Sequence, residues 1–142
     1  MQAAALRRAL GAAGFAIAAL APVSAFAQDL TGDPANGESV FRRCASCHRV
    51  GPDANNAVGP ALNGVVGRQA GTHPDFNYSQ AMKDSGVTWD AETLSAFLEA
   101  PRQFMPGTRM AFQGLPDAQD RADVIAYLSQ FDAQGNTTAP AQ

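Results

Sequence analysis

Residues 44–48 read CASCH and contain both cysteines of the chain, Cys44 and Cys47, followed directly by His48. Two thiols and an imidazole this close admit a local disulfide, a redox-active dithiol, part of a zinc site or covalent attachment of a haem. A disulfide in so small a ring would constrain almost nothing, and a redox dithiol is expected in a strand-helix context that this sequence lacks. A zinc site would need four ligands, and beyond the two thiols and His48 the sequence offers only the distant His73. Haem attachment uses all three motif residues, because each thiol forms a thioether with a haem vinyl group and the imidazole meets the iron.

The second axial ligand of such an iron separates an electron carrier from a site that binds peroxide or a gas. The candidates are Met82, Met105, Met110 and His73. Met110 follows a Pro-Gly turn at 106–107, which places it in a loop that is free to reach the haem. Core packing is the expected role of Met82 and Met105. An imidazole and a thioether together raise the reduction potential and leave no open position, so this pair predicts electron transfer.

The first 27 residues have the pattern of an export signal. Arg7 and Arg8 precede an uncharged apolar run over residues 9–20, and small residues end the segment at Ala27. The run is too short to span a bilayer, so we expect cleavage after Ala27 and a periplasmic protein. The mature chain then comprises a domain over residues 28–132 and a polar, flexible tail over 133–142.

Charge and length limit the kind of partner. Thirteen acidic residues face ten basic ones, and two of the ten lie in the export signal, so the mature chain carries a net charge near −5. This acidic balance argues against nucleic acid as a partner. The length suits one compact domain, which we expect to be a monomer.

The pattern of the mature chain is helical, with no convincing strand. Residues 50–76 are rich in glycine and proline and are predicted to be loop, and a loop of that length is unusual unless something other than protein fills the centre. The fold class is therefore predicted to be all-α, with a large apolar cofactor supplying interior that short helices cannot. Helices are predicted from Asp33-Pro34 to the motif, around 79–85, over 90–99 until Pro101 ends it, and over 118–130.

A resemblance extends over nearly the whole mature chain. The matching stretches are Gly37 with Phe41, CASCH, VGPALNG at 58–64, GRQAG at 67–71, FNY at 76–78, VTW at 87–89, TL at 93–94, PGTRMAF at 106–112 and RADVIAYL at 121–128. The chain resembles class I cytochromes c, and within that class the mitochondrial and short bacterial c2-type proteins. The resemblance implies a small fold of short helices and loops wrapped around one covalently bound haem c.

The resemblance also implies roles for residues outside the motif. The Pro60 carbonyl would accept the second imidazole N–H of His48, a bond that fixes the ring and its basicity. Arg68, Tyr78 and Trp89 would hold the haem propionates. Thr108 would belong to the haem-binding loop that carries the axial ligand Met110.

Further packing follows from the same resemblance. Gly37 and Phe41 would meet Tyr127 where the first and last helices cross. Phe97 replaces a usual tyrosine and Met82 a common asparagine near the methionine sulfur, so the resemblance implies a drier pocket here.

The expected function is one-electron transfer without catalysis. The resemblance implies a quinol-cytochrome c oxidoreductase as donor and a photosynthetic reaction centre or terminal oxidase as acceptor. Acidic residues are concentrated around the last predicted helix, where Arg121 is the only basic residue. We expect this acidic region on the surface, away from the docking site. The rivals are an enzyme or sensor in which Met110 is displaced, and a haem-free structural protein. Docking is predicted at five arginines that border the motif and the methionine loop, namely Arg42, Arg43, Arg49, Arg102 and Arg109.

Overall fold

The computed structural model describes residues 31–138. The predicted export signal and the last four residues of the predicted tail lie outside them. Within that range the protein contains isolated antiparallel bridges, Gln69 with Thr88 and Phe131 with Thr137, but no strand, so the all-α prediction is confirmed. None of the helices in this range has the length and apolar character that crossing a membrane requires. The helices are α1 Pro34–Phe41, α2 Gln80–Asp84, α3 Ala91–Glu99, α4 Pro101–Phe104 and α5 Ala118–Ser129.

Side-chain caps begin four of the five helices in the described range, all except α4. The Asp33 carboxylate accepts the Ala35 N–H at 2.9 Å, one residue into a helix that starts with proline. Asp90 and Thr93 form a reciprocal capping box at the start of α3. Asp117 accepts two backbone N–H groups at the start of α5. Each cap satisfies amides that have no partner inside the helix.

Pro101 both ends α3 and begins a further helix, which the sequence analysis did not predict. Ala100 is non-helical and separates the two helices, and Pro101 occupies the first position of α4. Proline is well suited to that position because its missing N–H has no acceptor there in any case. The chain therefore changes direction at Ala100 and continues as a four-residue helix.

α1 and α5 cross at Gly37, as the resemblance implies. A Cβ atom at Gly37 would collide with the backbone carbonyl of Asp123 and would lie 2.8 Å from the Cβ of Tyr127. The ring centroids of Phe41 and Tyr127 are 5.5 Å apart. Glycine thus permits the close approach, and the two aromatic rings pack beside it.

Asp123 fastens the start of α1 to α5. Its carboxylate is almost completely buried and accepts the Asp33 N–H at 2.8 Å and the Asn36 amide at 2.5 Å. The Gln119 amide donates to it at 2.8 Å. These donors, the Asp33 N–H foremost, hold the pKa of Asp123 below its ordinary value, and burial opposes them.

We expect Asp123→Ala to lower the free energy of unfolding of the haem-loaded protein by about 2–4 kcal/mol at pH 7, because three donors lose a charged acceptor. A lowered folded-state pKa contributes stability above the unfolded pKa, near 4, and that contribution is lost as pH falls through the folded value. The deficit of the variant should therefore shrink in acid. Denaturant unfolding at pH 7 and pH 3 measures it, with the exposed Asp53→Ala as control. A deficit of equal size at both pH values would contradict the assignment.

The C-terminal segment is folded further than predicted. Thr138 N–H donates to the Gln130 carbonyl at 2.8 Å, and Gly135 packs against the backbone of Gly51. The Asp132 carboxylate accepts the backbone N–H groups of Gln134 and Asn136 at 2.9 Å. An aspartate-centred turn folds residues 133–138 back onto the glycine-rich loop, a contact that the sequence analysis did not predict.

Arg121 is not on the surface, contrary to the sequence expectation. Its guanidinium donates to the carbonyls of Leu115 at 2.7 Å and Pro116 at 2.9 Å, and to the Ser95 hydroxyl at 3.0 Å. The residue is only 8% exposed. It ties α5 to α3 and to the loop before α5, so it is a structural residue rather than part of a surface charge pattern.

Candidate functional site

A cavity of about 560 Å³ lies at the centre of the fold. Side chains from α3 and α5, among them Leu94, Leu98, Val124 and Leu128, form part of an apolar wall. All nine residues that the sequence analysis assigns to a cofactor line this one cavity, namely Cys44, Cys47, His48, Pro60, Arg68, Tyr78, Trp89, Thr108 and Met110.

The motif follows α1 as a series of tight turns. Cys44 N–H donates to the Phe41 carbonyl at 2.7 Å, and the amides of Cys47 and His48 both donate to the Cys44 carbonyl, at 3.0 and 2.9 Å. Both cysteines are half-buried free thiols. The turns thus bring two thiols and one imidazole into the same cavity.

The environment of Cys44 does not suit a redox-active thiol. Burial raises the pKa of Cys44, and the nearby Arg43 charge offsets this only in part. Reactive dithiols need a lowered pKa, since the thiolate is the nucleophile. The described residues also contain no cluster of three or more histidine, cysteine or acidic side chains that could hold a metal ion, so the zinc interpretation gains no support.

His48 is held in one orientation. Its Nδ1 lies 2.8 Å from the Pro60 carbonyl oxygen, as the resemblance implies. Because a carbonyl can only accept, Nδ1 carries the proton and Nε2 keeps a free lone pair. Burial lowers the pKa of His48, which favours the neutral ring.

Gly59 makes room for that ring. A Cβ atom at Gly59 would lie 2.7 Å from Nδ1 and 2.9 Å from Nε2 of His48, which is closer than such contacts allow. The Gly59 N–H also donates to the Cys47 carbonyl at 2.9 Å. The glycine before Pro60 therefore lets the loop close over the imidazole.

Met110 lies in a braced loop. The Thr108 N–H donates to the Met105 carbonyl at 3.1 Å, and the Thr108 hydroxyl accepts the Met110 N–H at 3.3 Å. Gly107 has a φ of +91°, a value that favours glycine. Arg109 donates to the Asn77 carbonyl at 2.7 Å. These contacts hold the thioether at the cavity wall.

The other three methionine and histidine candidates occupy different places. Met82 is half-buried and lines the cavity, whereas Met105 is 5% exposed and belongs to the core. His73 does not line the cavity; its Nδ1 lies 3.2 Å from the Arg68 guanidinium. Phe97, which lines the cavity, packs on Trp89 with ring centroids 5.0 Å apart.

Arg68, Tyr78 and Trp89 bring three donor groups together in a cavity whose lining is largely apolar. The Trp89 backbone N–H donates to the Arg68 backbone carbonyl at 2.9 Å, and the Arg68 guanidinium donates to the Asn63 carbonyl at 2.7 Å. Burial raises the pKa of Tyr78 and lowers that of Arg68, and the electrostatic attraction between the two side chains opposes both effects. Such a group of donors is suited to carboxylates that leave bulk water.

The five arginines predicted to dock a partner are not equivalent. All are exposed, but only Arg43 and Arg109 line the cavity. Arg43 also pairs with Asp120 of α5 at 3.3 Å, so the basic and acidic regions that the sequence separates meet at this point. Arg42, Arg49 and Arg102 lie outside the cavity lining.

Two asparagines support the site and were missed by the sequence analysis. Asn63 is buried, and its amide exchanges two hydrogen bonds with the Gly51 backbone at 2.9 and 2.8 Å. Asn56 accepts the Ala61 N–H at 2.9 Å. No sequence signal distinguishes them, because asparagine in a glycine-rich stretch is usually a solvated turn residue.

Comparison with known proteins gives a consistent result. The family model described as Cytochrome c matches residues 34–132. Cytochrome c2 of Rhodomicrobium vannielii is 56% identical over 103 residues, covering 72% of this chain and 82% of that protein. Cytochrome c2 of Rhodoblastus acidophilus is 52% identical over 105 residues, covering 74% and 98%. The solved structure of cytochrome c2 from Rhodospirillum centenum is 49% identical, with a TM-score of 0.66 and coverage of 71% and 99%.

Proposed function

Because this chain belongs to the cytochrome c family, whose members carry electrons on one covalently attached haem c, we propose that it is a periplasmic carrier of the cytochrome c2 kind. It would take single electrons from a quinol-cytochrome c oxidoreductase. It would deliver them to a photosynthetic reaction centre or a terminal oxidase. When bound, the haem supplies the reversible one-electron couple.

One observation carries the proposal: a single cavity collects two free thiols, a thioether and an imidazole with a free Nε2 lone pair. The remaining lining is largely apolar, apart from the donor group at Arg68, Tyr78 and Trp89. This donor set fits a flat apolar macrocycle with two carboxylates and two vinyl groups. We therefore assign the cavity to the haem.

Cys44 and Cys47 are the proposed attachment residues. Each thiol would hold the haem by adding its S–H across one vinyl double bond, with sulfur on one carbon and hydrogen on the other and no net oxidation. The step needs thiols rather than a disulfide, in keeping with two free cysteines in the cavity wall. Two thioethers keep the cofactor from dissociating.

His48 and Met110 are the proposed axial ligands. The Pro60 carbonyl leaves Nε2 of His48 available, and the hydrogen bonds of Thr108 and Arg109 hold the Met110 loop in place. With both axial positions filled, no coordination site is open to a substrate. That arrangement suits electron transfer rather than catalysis.

Arg68, Tyr78 and Trp89 are the proposed partners of the propionates. All three line the cavity, and a backbone hydrogen bond from Trp89 to Arg68 joins two of them. Fixed donors reorganise little when the charge of the site changes by one, and small reorganisation favours fast electron transfer.

The proposed periplasmic location rests on the export signal over residues 1–27. Covalent haem attachment is in keeping with it, since the mature chain beginning at Gln28 would reach an oxidising compartment with only the two cysteines of the motif.

The proposed docking surface is the part of the molecule where the cavity reaches solvent, with Arg43 and Arg109 in the cavity lining. Arg42, Arg49 and Arg102, which lie outside the lining, would extend the basic charge of this surface. Val58 lines the same cavity and is 78% exposed, which adds an apolar contact among the arginines. An acidic partner would be attracted there in spite of the negative net charge, because nearby charges dominate at short range.

We expect Arg43→Glu to slow reduction by membranes that contain a quinol-oxidising complex by about 3- to 10-fold at low salt, because rim charges act mainly on the association rate. Lys83→Glu is the matched control, since Lys83 is exposed on α2 and does not line the cavity. The buried Arg121 would be an unsuitable control. Stopped-flow reduction over a range of ionic strength measures the rates. Equal slowing by both variants, or a wild-type rate that rises with salt, would exclude this docking surface.

A further inference from the structure

The peptide group between Pro60 and Ala61 is hydrogen-bonded at both ends. Its carbonyl oxygen accepts from Nδ1 of His48 at 2.8 Å, and its N–H donates to Oδ1 of Asn56 at 2.9 Å. The imidazole, the peptide group and the asparagine amide thus form one continuous chain of hydrogen bonds.

The residues that form this series of hydrogen bonds are largely shielded from water. Ala61 is 1% exposed, His48 is 9% exposed, and Pro60 and Asn56 are half-buried. Nδ2 of Asn56 donates to the Pro74 carbonyl at 3.1 Å, which fixes the orientation of its amide. Hydrogen bonds in series strengthen one another by about 10–30% in such settings.

We propose that Asn56 is a positioning residue that sets the electron-donating strength of His48 through the Pro60–Ala61 peptide. By accepting the Ala61 N–H, it makes the Pro60 oxygen more negative and a stronger acceptor for Nδ1–H. A stronger Nδ1–H···O bond gives the imidazole more anionic character and so a more basic Nε2. A more basic axial nitrogen favours the ferric state, so Asn56 lowers the reduction potential. The inference rests on the proposed axial role of His48.

Two substitutions separate this effect from the link to Pro74. Asn56→Leu, which has nearly the same shape, removes both hydrogen bonds. Asn56→Asp keeps an acceptor for the Ala61 N–H, with added negative charge, but loses the donor to Pro74. Asn55→Leu is the control, because Asn55 is exposed and its amide reaches only the Asp53 carbonyl.

The readouts are the midpoint potential of the haem-loaded protein and the NMR shift and exchange rate of the His48 Nδ1 proton in the ferrous state. Asn56→Leu should shift the equilibrium between the ferric and ferrous states about 3-fold toward the ferrous state. At 59 mV per tenfold for one electron, this shift raises the midpoint potential by about 28 mV. Its Nδ1 proton should move upfield and exchange faster. Asn56→Asp should shift both the potential and the proton in the opposite direction, and Asn55→Leu should change neither.

An unchanged potential and Nδ1 proton in Asn56→Leu, with only stability reduced, would show that Asn56 merely links two loops and would overturn the proposal. An upfield shift of the His48 Nδ1 proton in Asn56→Asp would also overturn the proposal. This second test can be made even if Asn56→Leu does not fold. Failure of the proposed function itself would be recognised separately, because the wild-type protein would then lack a one-electron couple.

Discussion

Met110→Ala should keep its haem but bind external ligands at least about 100-fold more tightly than the wild-type protein. Cys44 and Cys47 are untouched, so the covalent attachment is preserved. An external ligand no longer competes with a thioether that the loop supplies at a high effective concentration. Azide titration of the ferric protein and carbon monoxide titration of the ferrous protein measure the affinities.

The matched control is Met82→Leu, a substitution that conserves volume at a second methionine in the cavity wall. It should retain the wild-type spectrum and ligand affinity. If Met82→Leu opens the iron and Met110→Ala does not, the ligand assignment is reversed. A wild-type protein that binds these ligands as tightly as Met110→Ala would instead favour the rival function, an enzyme or sensor with an open site.

The double variant Cys44→Ala, Cys47→Ala should be largely unfolded and short-lived when it carries no haem. Without haem, the apolar side chains that line a cavity of about 560 Å³ would lose their packing partner, whereas the whole stability of an ordinary domain is only about 5–15 kcal/mol. A large part of the hydrophobic core, including Val124 and Leu128 of α5, lines this cavity. Far-ultraviolet circular dichroism and a thermal scan of the haem-free variant measure the loss.

Ser46→Ala is the control, because it changes an exposed residue inside the motif and leaves both thiols in place. It should attach haem and unfold cooperatively like the wild type. A cooperative thermal transition in the haem-free double variant would show that the protein part folds alone, and would revive the interpretation of a haem-free structural protein.

The sequence predicted the features whose causes are local. The helix start at Asp33-Pro34 depends only on the next few residues, and Asp33 caps α1 in the structure. The predicted helical spans 90–99 and 118–130 likewise correspond to α3 and α5. The CASCH motif likewise indicates its chemistry by spacing alone. The all-α class and the long loop between α1 and α2 follow from the same short-range signals.

Features that depend on tertiary contacts were beyond such reasoning. Arg121 reads as a surface base, but carbonyls from the loop before α5 satisfy its guanidinium and allow burial. The segment after Asp132 reads as a polar tail, but its turn docks on Gly51. Asn56 acts through a peptide group five residues away, which no periodicity reveals. In each case the side chain or turn is held by a backbone group. Because every residue carries the same backbone groups, the sequence does not indicate which of them will be the partner.

The absorption spectrum of the ferric wild-type protein in the red tests the central claim most directly, namely a closed site in which His48 and Met110 both bind the haem iron. The account predicts a weak band near the red edge of the visible range, which marks methionine sulfur on iron and should vanish in Met110→Ala. A wild-type spectrum without that band, or one in which the band persists in Met110→Ala, would contradict the account.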